Sequence, residues 1–399
     1  MPKQITIIGA GLAGLALTQS LLDQSIDGGQ ITLVDAGDAA RASDVPGTLM
    51  HPFPGRSMRP KRGQLASAKT SVDFLRRLRA EAGDGAVLEL PMARPLLGGK
   101  KRDMADRLRD SWKASKDDYP DWFDSRIVRG EALAEVDPNL ARYDEALVYS
   151  PAFSVNTHDV RSHLRAKFRD QGVRLIDDTR VERLERVADK WRVVTSGEGS
   201  LSAQTDQTDQ VVLALGWGLA EWFPGLPIRG KGGEVLRARP PEGAELRCVI
   251  NASGHVAPLA GCADAGGAGC GADGGDRTWS AGSTYWRVDQ FNERTDALAI
   301  SELLERCTPL VAALADSEPI TIGRGVRASY RGDNRPLVGP VPGLDDLFVF
   351  GAFGSKGLLR IPEFADQLAA LLLGGPTIDQ RASTARVKRE KWLQTPRLT

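Results

Sequence analysis

Cysteine is scarce in this chain. There are four in 399 residues, Cys248, Cys262, Cys270 and Cys307, and no two form a CxxC pair. That spacing excludes a redox dithiol motif and a zinc knuckle. No apolar run approaches the roughly 18 residues of a membrane span. The first residues read as an apolar strand entering a glycine turn and not as a signal peptide, so a cytoplasmic protein with no membrane span is expected. Net charge is also missing, because Lys+Arg and Asp+Glu both total 52. The whole molecule therefore offers no general attraction for nucleic acid or anionic membrane, and any such surface would be a local patch.

What is present begins at once. Gln4-Ile5-Thr6-Ile7-Ile8 breaks into Gly9-Ala10-Gly11-Leu12-Ala13-Gly14, and an apolar helix pattern follows from Leu15 to Leu22. This is strand, phosphate loop, helix: Gly9 for the tight turn, Gly11 for close approach of a pyrophosphate, Gly14 for packing of helix on strand. A second strand, Gln30 to Val34, ends on Asp35, 21 positions after Gly14, where a carboxylate would accept hydrogen bonds from adenosine ribose hydroxyls. The expected ligand is an anionic dinucleotide, FAD or NAD.

Further along, Leu65, Ala68, Val72, Leu75 and Leu78 recur at helical spacing. Residues 89 to 151 have mixed periodicity and read as short helices and loops. A helix starts at Asn156-Thr157 and stops at Gly172, and strands follow at 173–176, 181–187 and 190–195, the last two joined by Ala188-Asp189 as a hairpin. After a low-complexity loop over 196–209, Gln210 to Gly216 reads as a buried parallel strand. The Gly/Ala-rich stretch from Gly254 to Gly275, with His255, Cys262 and Cys270, lacks the rigid set of ligands a metal needs, so a flexible hairpin tip and no metal are expected. Strands at 279–286 and 320–330 flank a helix over 298–314 interrupted at Pro309. The chain then runs through the strand Leu347 to Phe350, a second glycine turn over 351–357 and a helix from about Leu358 to Leu373. That turn would set another positive helix end near the cofactor.

The N-terminal fingerprint, the strand Val211 to Gly216, the segment Gly325-Val326-Arg327-Ala328-Ser329-Tyr330 continuing to Gly339, and the turn Gly351 to Gly357 together resemble the D-amino acid oxidase and glycine oxidase superfamily of FAD enzymes. Within it, Asp345 to Phe350 followed by Gly354-Ser355-Lys356-Gly357-Leu358 is most similar to the FAD module of the bifunctional enzyme of tRNA wobble-uridine modification. Starting at the flavin fingerprint, the chain is expected to carry no methyltransferase half. The resemblance implies an α/β fold, with a Rossmann-like FAD-binding domain from residues 1–88, 152–226 and 318–399. It places an α+β substrate domain with an antiparallel sheet in residues 89–151 and 227–317.

The resemblance extends the FAD contacts beyond Gly9, Gly11, Gly14 and Asp35 to Leu12, Ala13, Ala36, Arg41, Ala42, Ser43, Val181, Gly216, Gly351, Gly354, Ser355, Lys356, Gly357 and Leu358. His51 falls in the loop that passes the flavin in related enzymes, with a noncovalent role expected. Arg327 matches the arginine that holds a substrate carboxylate, a task suited to a planar guanidinium. Lys356 faces substrate or flavin, and Tyr285 lines the pocket or is a buried sheet tyrosine.

The implied activity is oxidation of a C–N bond by hydride transfer to flavin, followed by imine hydrolysis. The substrate is a carboxymethylaminomethyl uridine of tRNA or, in the alternative, a free small amino acid (glycine, sarcosine, a D-amino acid). With no second dinucleotide fingerprint, electrons pass to oxygen or another acceptor. A rival reading is a noncatalytic flavin-bearing RNA-binding protein, suggested by the basic tail Arg381, Arg386, Lys388, Arg389, Lys391 and Arg397.

Overall fold

A computed structural model describes residues 3–37, 40–54, 64–97, 102–196, 206–259, 278–288, 293–395 and 397–398. Most of the Gly/Ala-rich stretch, with Cys262 and Cys270, and residues 197–205 of the low-complexity loop lie outside the described residues. The chain divides into two compact units, one of residues 1–43, 161–232 and 325–399, the other of residues 44–160 and 233–324.

The first unit is built on a six-stranded sheet in the order Leu337–Pro340, Leu347–Gly351, Gln210–Leu213, Ile5–Ile8, Ile31–Val34, Arg174–Ile176. All pairs are parallel except the antiparallel edge strand Leu337–Pro340. The two central strands, Ile5–Ile8 and Gln210–Leu213, are buried at every position, as expected of parallel strands covered on both faces. A small antiparallel sheet, Arg180–Val187, Lys190–Ser196 and Asp206–Thr208, joins the same core. Its hairpin turns at Ala188, held at φ +54°.

The second unit carries strands of a larger, mainly antiparallel sheet, among them Val87–Pro95, Asp124–Arg129, Glu145–Val155 and Thr278–Gly282. The reading of residues 89 to 151 as short helices and loops is corrected here, since three strands cross that region. Glu145–Val155 is buried at nearly every position and so shows no two-residue alternation, while Asp124–Arg129 is largely charged; neither gives the period that marks a strand. Residues 44–88, assigned from sequence with the cofactor domain, fall in this unit because Thr48–Met50 pairs with Glu145–Val155 and the helix Gln64–Ala82 packs on Val87–Pro95. The expected strand over 279–286 is interrupted after Gly282 and resumes at Trp286–Arg287. The helix expected over 298–314 runs from Asp296 to Cys307, with a short 3-10 turn at Ala312–Asp316.

Candidate cofactor and active site

The first glycine loop is fixed by backbone packing. Gly9 sits at φ +108° and donates its N–H to the Val34 carbonyl at 2.7 Å. A Cβ on Gly9 would lie 2.5 Å from the Ala214 oxygen, and one on Gly14 would lie 1.9 Å from the Gly9 oxygen. Gly11 differs, because a Cβ there would meet only the Ser43 side chain, with Oγ at 3.2 Å. The close packing thus belongs to Gly9 and Gly14, and Gly11 is the position kept open. Gly11 begins the helix Leu12–Asp23, whose first turn holds no acidic residue; Ser43 Oγ accepts the Leu12 N–H at 3.0 Å. An open glycine, a helix N-terminus free of acidic side chains and a carboxylate at the end of the next strand fit a dinucleotide.

That carboxylate, Asp35, is already engaged. Its Oδ2 accepts from Arg41 at 2.8 Å and lies 3.8 Å from Arg161 and 4.0 Å from Arg165. Arg161 also donates from Nε to the Ala10 carbonyl at 3.3 Å. Burial, together with the charges of Arg41 and Arg165, lowers the Arg161 guanidinium to about 10, with Asp35 opposing the shift. Sequence reading missed Arg161 and Arg165. The available signal was their spacing of four on the helix Thr157–Asp170, which puts them on one face. Ala36 follows Asp35, and Ala42 and Ser43 stand on a 3-10 turn that brings the Ser43 hydroxyl to the glycine loop.

The second glycine turn starts where Leu347–Gly351 leaves the sheet. Ala352 and Gly354 take left-handed conformations at φ +59° and +61°. The helix Gly357–Leu372 then opens with Lys356 as its cap residue and no side-chain cap on its first N–H groups. The Arg327 segment is tied to both loops. Val326 donates its N–H to the Ala40 carbonyl at 2.9 Å and bridges Arg41, and Ser329 bridges Phe353 within the second turn. Arg327 is half-buried between these two anchor points, as is Lys356 in its turn. Val181 is buried in the same core cluster as Ile8, Val34, Leu213 and Ala352, and Gly216, at φ +56°, follows the strand Gln210–Leu213.

Two other expected residues belong to the second unit. His51 follows the strand Thr48–Met50, and its Nδ1 lies 3.2 Å from the hydroxyl of buried Tyr149, which also donates to the Met92 sulfur. Burial pushes that tyrosine well above its ordinary pKa. Tyr285 is 54% exposed with the Arg306 guanidinium 5.8 Å from its ring centre, so the alternative of a buried sheet tyrosine is corrected. The segment that carries it hangs on Glu234, whose backbone N–H donates to Thr284 Oγ1 at 3.0 Å while the Thr284 hydroxyl donates to its carboxylate at 2.8 Å. Arg294 at 2.6 Å and Arg324 at 3.0 Å complete the shell of this fully buried carboxylate. Burial raises its pKa, and the hydrogen bonds from Arg294, Thr284 and Arg324 outweigh that, leaving it below the ordinary glutamate value.

The basic tail is largely spent inside the fold. Arg381 pairs with Glu363 and Asp379, Arg386 with Asp333 and four backbone carbonyls, and Arg397 with Glu221.

The family of FAD dependent oxidoreductases known as DAO matches residues 4–371, spanning the glycine cradle, Asp35, Arg327 and the second glycine turn in order. This chain belongs to the DAO family. Among curated relatives it is 27% identical, over 94% of its length, to the tRNA 5-methylaminomethyl-2-thiouridine biosynthesis bifunctional protein MnmC of Burkholderia lata. It is 27% identical, over 97% of its length, to the corresponding protein of a Caulobacter species. The DAO chain spans only 57% of the length of each of those relatives. In fold it is similar to glycine oxidase from Geobacillus kaustophilus, with a TM-score of 0.75 at 19% identity over 97% of this chain and 99% of that one. Iminodiacetate oxidase from Chelativorans sp. BNC1 gives the same TM-score at 18% identity over 95% and 98%. As a DAO-family member the chain is an FAD-dependent oxidoreductase. No helix among the described residues is long and apolar enough to cross a membrane.

Proposed function

We propose that this protein oxidises the C–N bond of an amine that carries a carboxylate, and that its substrate is the carboxymethylaminomethyl group of a modified uridine in tRNA. The observation that carries the first part is the placement of Arg327, whose strand is joined by backbone contacts to the Arg41 loop on one side and to the Phe353 turn on the other. A guanidinium held between two glycine loops suits bidentate binding of a substrate carboxylate, which aims the neighbouring C–H bond. Bound FAD would supply the hydride acceptor. Lys356 and the uncapped start of Gly357–Leu372 offer positive charge that favours the reduced, anionic state of the site. The substrate nitrogen must be neutral to release its electron pair as the hydride leaves, and the resulting imine takes up water and splits into an amine and a carbonyl compound. Oxygen or another acceptor then removes the electrons. Support for the tRNA part is the 27% identity to relatives named for tRNA modification, against 18–19% to the small-substrate oxidases.

The deciding experiment mixes the yellow protein anaerobically with tRNA bearing carboxymethylaminomethyl uridine, and separately with glycine, sarcosine, D-amino acids and proline. Flavin bleaching by the tRNA alone is the expected result. Bleaching by a free amino acid and not by the tRNA would replace this reading with a small amino acid oxidase, and bleaching by none would favour a noncatalytic role. In the same assay Arg327→Ala should lose on the order of 2 to 4 kcal/mol of transition-state binding, and Arg327→Lys should not restore it. Full activity of Arg327→Ala with FAD retained would remove Arg327 from the site.

A further inference from the structure

We propose that Arg161 is a phosphate-binding residue for an adenine dinucleotide, and that the Arg41–Asp35 ion pair is the closed form of the ribose site, which such a ligand opens. This rests on the flavoprotein reading of the glycine cradle. Arg161 spans the space that matters, with Nε on the carbonyl of Ala10, inside the phosphate loop, and its terminal nitrogen 3.8 Å from Asp35. Three guanidiniums, those of Arg41, Arg161 and Arg165, share two carboxylates there, Asp35 and Asp177. Asp177 is also taken by Arg169 at 3.2 Å. The side chains of Asp35, Arg41, Arg161 and Arg165 are each no more than 15% exposed. Like charges held this close in a poorly hydrated place repel one another, and the local excess is positive.

An anion arriving at the phosphate loop supplies the missing counter-charge, and Arg161 is the cation already touching that loop. Arg41 stands on the other side of the exchange. Its guanidinium holds Asp35 Oδ2 at 2.8 Å, while Oδ1 receives only a long contact from the Ala10 N–H at 3.4 Å. Ribose hydroxyls are neutral donors and weaker than a guanidinium. Asp35 therefore becomes available to them when Arg41 moves aside, and the phosphate bound by Arg161 offsets the separation of that pair. A plain structural ion network would make no distinction between a ligand with phosphates and one without.

The test uses the full chain stripped of flavin and titrated calorimetrically with ADP and with adenosine. Arg161→Met should weaken ADP by roughly 10- to 100-fold, the range for a hydrogen bond to a charged group, and change adenosine by less than about twofold. Arg161→Lys, which keeps the charge, should recover part of the ADP affinity. Arg41→Ala should tighten adenosine several-fold by freeing Asp35. Unchanged ADP affinity in Arg161→Met, or equal losses for ADP and adenosine, would overturn the phosphate role. Weaker adenosine binding by Arg41→Ala would overturn the latch. Should the wild-type chain bind neither ADP nor FAD, the flavoprotein reading itself falls, a result distinct from any failure confined to the variants.

Discussion

Replacing Glu234 by glutamine tests whether one buried carboxylate holds the Tyr285 segment in place. The side chain is fully buried, and the Arg294 side chain that pairs with it is only 10% exposed. Removing one partner of a buried ion pair costs about 3–5 kcal/mol, because the other charge stays behind without its counter-ion. Here the cost belongs at the lower end, about 3 kcal/mol, since Arg294 keeps Glu302 at 2.8 Å and Arg324 keeps Asp296 at 2.5 Å. Those remaining partners are more exposed, with side chains 39% and 68% accessible, and compensate only in part.

The pH dependence has a fixed sign. The folded pKa of Glu234 is below the ordinary glutamate value, so its stabilisation is complete above that ordinary value, about 4.3, and is lost as pH falls through the folded pKa. Hydrogen–deuterium exchange of the peptide spanning 278–288 reads the local effect, and urea unfolding reads the global one. Glu234→Gln should exchange that peptide faster at pH 7 and converge with wild type in acid. Equal exchange and a stability loss under about 0.5 kcal/mol at pH 7 would refute the argument, as would a difference that persisted undiminished below the folded pKa.

Gly14→Ala places a methyl group 1.9 Å from the Gly9 oxygen, a backbone atom that cannot rotate away, so helix and strand must separate. A loss of about 1–3 kcal/mol together with reduced flavin content is expected, and an unchanged melting temperature with full flavin would contradict it; Gly11→Ala, facing only Ser43, should lose flavin with little loss of fold. His255 is held neutral by burial, its pKa lowered to about 4 from the ordinary 6.5. The unfolded chain therefore binds more protons between those values, and stability should rise with pH across that window by at most about 3 kcal/mol. His255→Gln should flatten that limb of the stability profile, and an identical profile in the variant would assign the slope elsewhere.

The sequence by itself determined the cofactor cradle. A strand, three spaced glycines, a helix and an acidic residue at the next strand end are local features, and each is dictated by backbone geometry within a few residues. The same holds for the second glycine turn, where Ala352 and Gly354 take left-handed conformations. The buried parallel strands were legible for the same reason, as short apolar runs such as Gln210–Leu213. Tertiary structure alone decided what converges on those elements. Arg161 and Arg165 come from a helix more than a hundred residues after the Asp35 they surround, and no motif links them. Glu234 gathers Thr284, Arg294 and Arg324 from three separate segments, and the charge of each residue, read along the chain, suggested only solvated surface. Residues 44–88 went to the second unit, and the strand Glu145–Val155 escaped reading, because pairing across the sheet and burial on both faces erase the periodicity by which a sequence announces a strand.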